Sequence, residues 1–258
     1  MHHSYIDSFS QGDSPIHRLD ARAKLLAVIA YTVVLVSFSR YALAVLVPMT
    51  IAPLAMLWLG GVPVRFALRR VLVLSPFIAA LCLFSPLYDR SAQSGFFGPW
   101  QFTVTGGWLS AGSIAAKFTL EVLAITALTC TTPFALLLEA MRKLRMPKFL
   151  VMQLGFLYRY IFLLIDEAMR IRRARDFRGA RGAPLSRRLA AAGGIIGSLF
   201  VRTVERSERV YAAMCIRGYR GEPHALSRLH FRAADAIFLT AVAGYLLLCR
   251  WGYAVIAH

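Results

Sequence analysis

The chain has 258 residues, of which 58% are hydrophobic, and it carries a net charge of +17. This apolar fraction exceeds the ~45–50% of an ordinary soluble domain, which argues against a water-soluble globule. An apolar chain with many cations is instead typical of a polytopic membrane protein with its basic residues gathered on one side. The four cysteines lie far apart, without the spacing of a disulfide framework or a zinc site.

Five apolar stretches approach the ~20 residues that a membrane-spanning helix needs. They predict transmembrane helices at residues 25–39, 41–60, 71–88, 108–132 and 234–256. No cleavable signal peptide is expected, because the polar N-terminus leads into an apolar run without a small-residue cleavage site. The expected fold class is an all-α membrane protein with about five transmembrane helices.

The basic residues are concentrated in one region. Residues 139–233 contain 20 of the 30 Lys and Arg but only 7 of the 13 Asp and Glu. Since short cytoplasmic loops are enriched in Lys and Arg, this region and the N-terminus are expected in the cytoplasm. A sixth apolar run, residues 149–165, is interpreted as non-spanning, because a span there would place a basic cluster outside. Arg159 inside this run begins a polar stripe, as expected for an amphipathic helix.

The predicted organisation has three parts: a tail with four transmembrane helices (1–132), a cytoplasmic domain (133–233) and a C-terminal transmembrane helix (234–258). The cytoplasmic domain is predicted to contain a short helix at 133–144 and two long helices at 147–177 and 184–217. Gly193 and Gly197 leave one face of the last helix without large side chains, which lets another helix approach closely. We therefore expect the two long helices to cross there. Alternatively, these glycines merely loosen a surface helix.

The two long helices end in the same pattern. Ala174–Gly182 and Ala213–Gly221 both read A-x-x-x-R-G-x-R-G, 39 residues apart. Each copy places an arginine at a helix C-terminus, where the helix dipole favours a cation, followed by a glycine that can adopt the left-handed cap conformation. The candidate partner-binding residues are Arg178, Gly179, Arg181, Arg217, Gly218 and Arg220.

Three interpretations of this repeat are open. The arginines are solvated caps, they bind anionic lipid head groups, or they are paired cations that enter acidic grooves on two similar partner subunits. Arginine suits the third role because its planar guanidinium binds a carboxylate bidentately. The recurrence of fixed glycines favours it, since lipid binding requires charge but no repeat.

No catalytic or metal-binding group is predicted. The chain lacks a G-x-x-x-x-G-K-[ST] nucleotide-binding loop. Lys117 and Glu121, one helical turn apart, are interpreted as a structural ion pair in preference to an ion path. Asp166 and Glu167 are adjacent acids, but neighbouring arginines make salt bridges the simpler interpretation than an active site. His2 and His3 are a potential Cu(II) or Ni(II) chelate, but a flexible terminal tail is the preferred interpretation. The turn residues and basic side chains around His224 and His230 disfavour a metal.

At several motifs the chain resembles the transmembrane (T) component of energy-coupling factor (ECF) transporters, and especially its CbiQ-like cobalt/nickel branch. Pro15–Leu25 is similar to the family's S-P-x-H-R-L-D-P-R-x-K-L, with Ala21 in place of the usual proline. Ala213–Gly221 is similar to A-M-x-A-R-G-Y-R-G. Further similarities to T-T-P, L-R-x-P and R-Y-x-x-x-x-x-x-E occur at Thr131–Pro133, Leu144–Pro147 and Arg159–Glu167.

Two departures from the family pattern concern the signature Ala-Arg-Gly at the helix ends. Phe177 and Ile216 occupy the positions of the signature alanines. Ala180-Arg181-Gly182 is a literal Ala-Arg-Gly that offers a second register for the first motif. We prefer Arg178, because it preserves the repeat with Arg217.

The resemblance implies a non-catalytic coupling scaffold in the prokaryotic inner membrane. Its implied partners are the lipid bilayer, two cytoplasmic ABC-type ATPase subunits that bind ATP and Mg²⁺, and a CbiM-like substrate-capture membrane subunit. This chain is expected to need no cofactor and to bind no nucleic acid. Cobalt or nickel is the expected cargo, and a vitamin such as biotin is the alternative. A basic lipid-binding membrane anchor is the alternative from another functional class.

Overall fold

The computed structural model describes residues 12–39, 43–88, 92–97, 100–177, 184–219 and 230–256. Its helices are α1 (Ala21–Ser37), α2 (Leu43–Met49), α3 (Ile51–Leu59), α4 (Val64–Tyr88), α5 (Gly106–Thr131), α6 (Phe134–Lys143), α7 (Lys148–Phe177), α8 (Leu185–Ile216) and α9 (Ala233–Ile256). The expected helical membrane class is confirmed. An antiparallel hairpin of β1 (Ala92–Phe97) and β2 (Trp100–Thr105) was not predicted.

The chain divides into two compact units. One comprises Ser4–Ala140 with Leu229–His258, and the other comprises Met141–Arg228. The first, which we call the membrane unit, contains α1 to α5 and α9. The second, which we call the paired-helix unit, contains α7 and α8.

Helix α5 lies at the centre of the membrane unit. Its Leu120 and Ala124 belong to one buried cluster with residues of α1, α2 and α9. Its Leu123 and Ala127 belong to a second cluster with Leu57 of α3 and with residues around the start of α4. Because α5 contacts helices on both sides, it is the apolar axis around which the unit packs.

Length and hydropathy give four helices in the described ranges that could cross a membrane: Val64–Phe84, Gly107–Thr131, Lys148–Phe177 and Ala233–Ala254. Helix α1 is too short for this criterion, with 17 residues. Helix α7 satisfies it, so the assignment of α7 to the cytoplasm rests on the distribution of charge and not on hydropathy.

The second predicted span, residues 41–60, is broken at Thr50 into α2 and α3. Pro53 is the cause on one side of the break, because it lacks the N–H that would bond to the Met49 carbonyl in a continuous helix. The Tyr31 hydroxyl of α1 donates to that carbonyl at 2.9 Å. The Tyr245 hydroxyl of α9 donates to the carbonyl of Pro48. Two tyrosines therefore satisfy the backbone groups that the break exposes.

Candidate functional site

Helix α8 ends in a complete Schellman motif. Arg217 is the C-cap residue, and Gly218 follows with φ of +79°. The Gly218 N–H donates to Cys215 O and the Tyr219 N–H donates to Met214 O, both at 3.0 Å. These are the two bonds that define the motif, and they require a left-handed residue, for which glycine has no steric cost. The expected capping role of Gly218 is thus found, and it fixes the backbone direction at exposed Arg217.

Two side-chain contacts hold α7 and α8 together. The Tyr219 hydroxyl donates to Met152 Sδ near the start of α7. Halfway along the helices, Arg202 Nη1 lies 2.5 Å from Glu167 Oε1, and Glu167 also pairs with Arg170 at 3.6 Å. The contacts join residue 152 to 219 and residue 167 to 202, so the helices run antiparallel. The expected salt bridges of Glu167 are present.

The crossing predicted at Gly193 and Gly197 is wrong in this structure. Apart from the backbone of α8 itself, a Cβ added at either glycine would meet no atom of the described residues within 4 Å. The two helices contact each other through the long side chains of Glu167 and Arg202 instead. Long side chains bridge a wider separation, so this contact does not require small residues on the helix surface. In the part of the chain that the structure describes, nothing covers α8 at Gly193 and Gly197.

The first copy of the repeated motif is only partly described. Helix α7 ends at Phe177. Arg178, Gly179 and Arg181 lie outside the described residues, as does Arg220 of the second copy. Their partner-binding role therefore stays a prediction, as does that of Arg217 and Gly218.

The membrane unit contains a buried polar cluster that sequence reasoning missed. Asp235 near the start of α9 accepts the backbone N–H of Asp20 and of Arg232, each at 2.7 Å. Asp20 is the N-cap of α1 and accepts the N–H of Arg22 at 2.8 Å. The cluster therefore ties the N-terminus of α1 to that of α9.

Lys24 extends this cluster to a third helix. Its side chain is 1% exposed, and its Nζ donates to the carbonyl of Thr131, the last residue of α5, at 3.0 Å. The carboxylates of Asp20 and Asp235 act electrostatically on this ammonium group. A buried lysine is tolerated here because a helix C-terminal carbonyl and two acids compensate its charge. The sequence signal was the run Arg18-Leu-Asp20-Ala-Arg22-Ala-Lys24, used above only for its resemblance.

The predicted ion pair between Lys117 and Glu121 is not formed. Lys117 Nζ donates to the carbonyl of Phe38, the C-cap of α1, at 2.6 Å. Glu121 Oε1 accepts from the Thr32 hydroxyl at 2.7 Å. Both polar side chains therefore hydrogen-bond to α1 and not to each other. Helix α1 packs close enough to α5 to offer these partners, and the spacing of residues within α5 gives no sign of them.

Within the described ranges, no three His, Cys, Asp or Glu side chains group together as a metal site would require.

Comparisons with known proteins find relatives that match almost the whole chain. The chain is 28% identical to the energy-coupling factor transporter transmembrane protein EcfT of Leuconostoc gelidum subsp. gasicomitatum, over 96% of each chain. It is 30% identical to the protein of the same name from Limosilactobacillus fermentum, over 91% of this chain and 92% of the relative. A putative fused cobalt transport protein, CbiMQ, of Methanocorpusculum labreanum is 30% identical over 59% of this chain and 26% of the relative.

The family match covers most of the sequence. Residues 12–227 match the family of the cobalt transport protein CbiQ. This range includes α1 to α8, with the buried Asp20 and Lys24 near its start and the Schellman ending at Gly218 near its end. The chain therefore belongs to the CbiQ cobalt transport protein family.

Proposed function

We propose that the chain is the transmembrane coupling subunit of an ATP-driven ECF-type importer. In this role it passes the closing motion of two cytoplasmic ABC-type ATPase subunits to a substrate-capture membrane subunit. The chain itself performs no catalysis, and ATP and Mg²⁺ bind to the ATPase subunits. The family match and the EcfT relatives support this function.

The observation that carries the proposal is the fixed ending of α8. Arg217 is exposed, stands at a helix C-terminus and has no ion pair among the described residues. By contrast, Arg202 and Arg170 are paired with Glu167. A capped, rigid backbone presents an unpaired guanidinium without a further ordering cost in the backbone, which suits a joint with an acidic groove on a moving partner.

The membrane unit supplies the rigid support that such a scaffold needs. Lys24 and Asp235 connect the ends of α1, α5 and α9 through buried hydrogen bonds. Polar groups buried in this way keep helix ends in a fixed arrangement, because any separation leaves charges unpaired.

We propose cobalt or nickel as the cargo and a CbiM-like protein as the capture subunit. The family description and the name of the fused Methanocorpusculum relative support this choice. The EcfT names state no cargo, so a vitamin such as biotin is the alternative. The proposed location is the inner (plasma) membrane, with the N-terminus and the paired-helix unit in the cytoplasm.

The direct test replaces Arg217 with Glu in the full-length chain within its complete transporter. We expect transport-coupled ATP hydrolysis to fall by about tenfold or more, because a like charge would face the acidic groove. Arg206→Glu is the matched control, since Arg206 is also exposed on α8 but does not belong to the repeat. If both variants lost activity equally, bulk positive charge and the lipid-anchor alternative would explain the region better.

A further inference from the structure

The two most exposed large apolar side chains in the described part of the chain stand at the ends of α7 and α8. Phe177 is 90% exposed and Ile216 is 87% exposed. A single exposed apolar residue needs no explanation, because much of any protein surface is apolar. Two almost fully exposed apolar side chains at equivalent positions of a repeat do call for an explanation.

Phe177 and Ile216 occupy the same position of the repeat. Each immediately precedes the motif arginine, Arg178 or Arg217, and they are 39 residues apart. They are also the positions at which the signature has alanine. The chain thus replaces a small residue by a large apolar one at both helix ends and leaves both side chains almost fully in solvent.

Both side chains have a small residue at the same neighbouring position. One helical turn earlier stands an alanine in both copies, Ala174 before Phe177 and Ala213 before Ile216. Residues three apart are neighbours on a helix surface, so each large side chain lies next to a small alanine side chain. A lipid-binding face requires a continuous stripe of large apolar residues. Helix α8 exposes such residues at Leu189, Ile196 and Phe200, but at 3.6 residues per turn Ile216 lies roughly on the opposite side of the helix. An isolated apolar side chain at a helix end can enter a discrete pocket on a partner.

We propose that Phe177 and Ile216 are apolar anchors that determine which ATPase subunits this chain accepts. Each anchor enters a pocket on one ATPase subunit, in which an apolar wall lies beside the carboxylate that binds the neighbouring arginine. The pocket must be wide enough for Phe or Ile, and ATPase subunits shaped for alanine bind this chain weakly. The inference rests on the proposed function and adds specificity to it.

The test measures binding of the ATPase subunits of the same transporter to the tagged full-length chain in detergent. Phe177→Ala and Ile216→Ala should each weaken binding about tenfold, since buried apolar anchors at the centre of an interface contribute most of its affinity. Leu189→Ala is the matched control, because Leu189 is 64% exposed on α8 but lies outside the repeat. It should bind as the unsubstituted chain does.

Salt provides a second readout. Arginine contacts weaken as salt rises, whereas apolar burial is not screened. The difference between the Phe177→Ala variant and the unsubstituted chain should therefore persist at high salt. A difference that disappears at high salt, or alanine variants that bind ATPase normally, would overturn the inference.

A third variant separates this inference from the proposed function. If Arg217→Glu loses ATPase binding while both alanine variants keep it, the anchors are refuted and the coupling role stands. If all three variants keep binding, the coupling role itself fails. If the alanine variants lose only their retention on vesicles containing anionic phospholipid, the side chains are lipid contacts and the proposal is refuted.

Discussion

Gly218 has a left-handed backbone conformation at the end of α8. Its φ of +79° is one that a side chain disfavours, although a Cβ there would meet no atom within 4 Å. Gly218→Ala should therefore destabilise the end of α8 by about 1 kcal/mol through backbone strain alone. We expect weaker ATPase binding with little change in overall unfolding, measured by ATPase retention and thermal unfolding in detergent.

Gly197→Ala is the control with the opposite expected sign. Gly197 lies inside α8, and an added Cβ there also meets open space. Alanine is favoured over glycine in a helix interior, so this variant should gain about 0.5–1 kcal/mol. If both alanine variants weakened ATPase binding alike, the left-handed cap would not be the cause.

Arg145 adopts the same left-handed backbone conformation as Gly218, although it is not a glycine. It has φ of 64°, and Met146 N–H donates to Met141 O at 3.1 Å as in a Schellman ending of α6. Arg145→Gly should raise the free energy of unfolding by a few tenths to about 1 kcal/mol, because relief of strain exceeds the entropic cost of glycine. Thermal unfolding measures this, and a loss of stability would show that the arginine side chain itself stabilises the fold.

At the residue scale, the sequence predicts correctly those features that depend only on residues close to each other in the chain. The cap at Gly218 follows from a glycine after a helical pattern, and it is found. The partners of Lys117 and Glu121 lie on α1, at Phe38 and Thr32, and no interval within α5 reveals them. The ion pair inferred from their four-residue spacing was wrong for that reason.

At the element scale, the break between α2 and α3 depends on hydroxyls from other helices. Tyr31 donates to Met49 O and Tyr245 donates to Pro48 O. Tyr245→Phe should lower stability by about 1–3 kcal/mol, since it leaves a carbonyl without a partner in an apolar surrounding. Thermal unfolding in detergent or nanodiscs measures the effect.

Tyr253→Phe is the matched control for that substitution. Tyr253 is also on α9, and its ring packs edge-on against Phe38 at a centroid distance of 5.2 Å. The packing survives removal of the hydroxyl, so stability should change by less than about 0.5 kcal/mol. Equal losses in both variants would contradict the role assigned to the hydroxyl of Tyr245.

Hydropathy predicted the apolar stretch of residues 41–60 but not its division. Pro48 and Pro53 are visible in the sequence, yet a proline in a membrane helix is compatible with a continuous kinked span. The break at Thr50 is stable because α1 and α9 bring donors to it. The sequence cannot show that proximity, since Tyr245 is almost 200 residues away from Pro48 along the chain. The same holds for the bond between Asp20 and Asp235.

The junction of α1 and α9 gives a further prediction. Asp235 is 2% exposed and accepts two backbone N–H groups at 2.7 Å. Asp235→Ala should cost about 3 kcal/mol, because charge-assisted bonds are lost and Lys24 loses a compensating acid. Asp166→Ala, at an exposed position of α7, should stay within about 0.5 kcal/mol. If Asp235→Ala and Asp166→Ala lowered the unfolding temperature equally, a specific role for the buried Asp235 carboxylate would be contradicted.

At the scale of the whole molecule, the coupling role requires the paired-helix unit to face the cytoplasm. Cys215 near the end of α8 is exposed, whereas Cys130 in α5 is buried. A membrane-impermeant maleimide should therefore label the chain in inside-out vesicles stripped of peripheral subunits but not in intact cells. Cys82 and Cys249 are partly exposed, so the labelling that is lost in the Cys215→Ser variant is the part assigned to the end of α8. Labelling of Cys215 in intact cells would place the second arginine motif, at Arg217, outside the cell, where no ATP is available, and would contradict the coupling function.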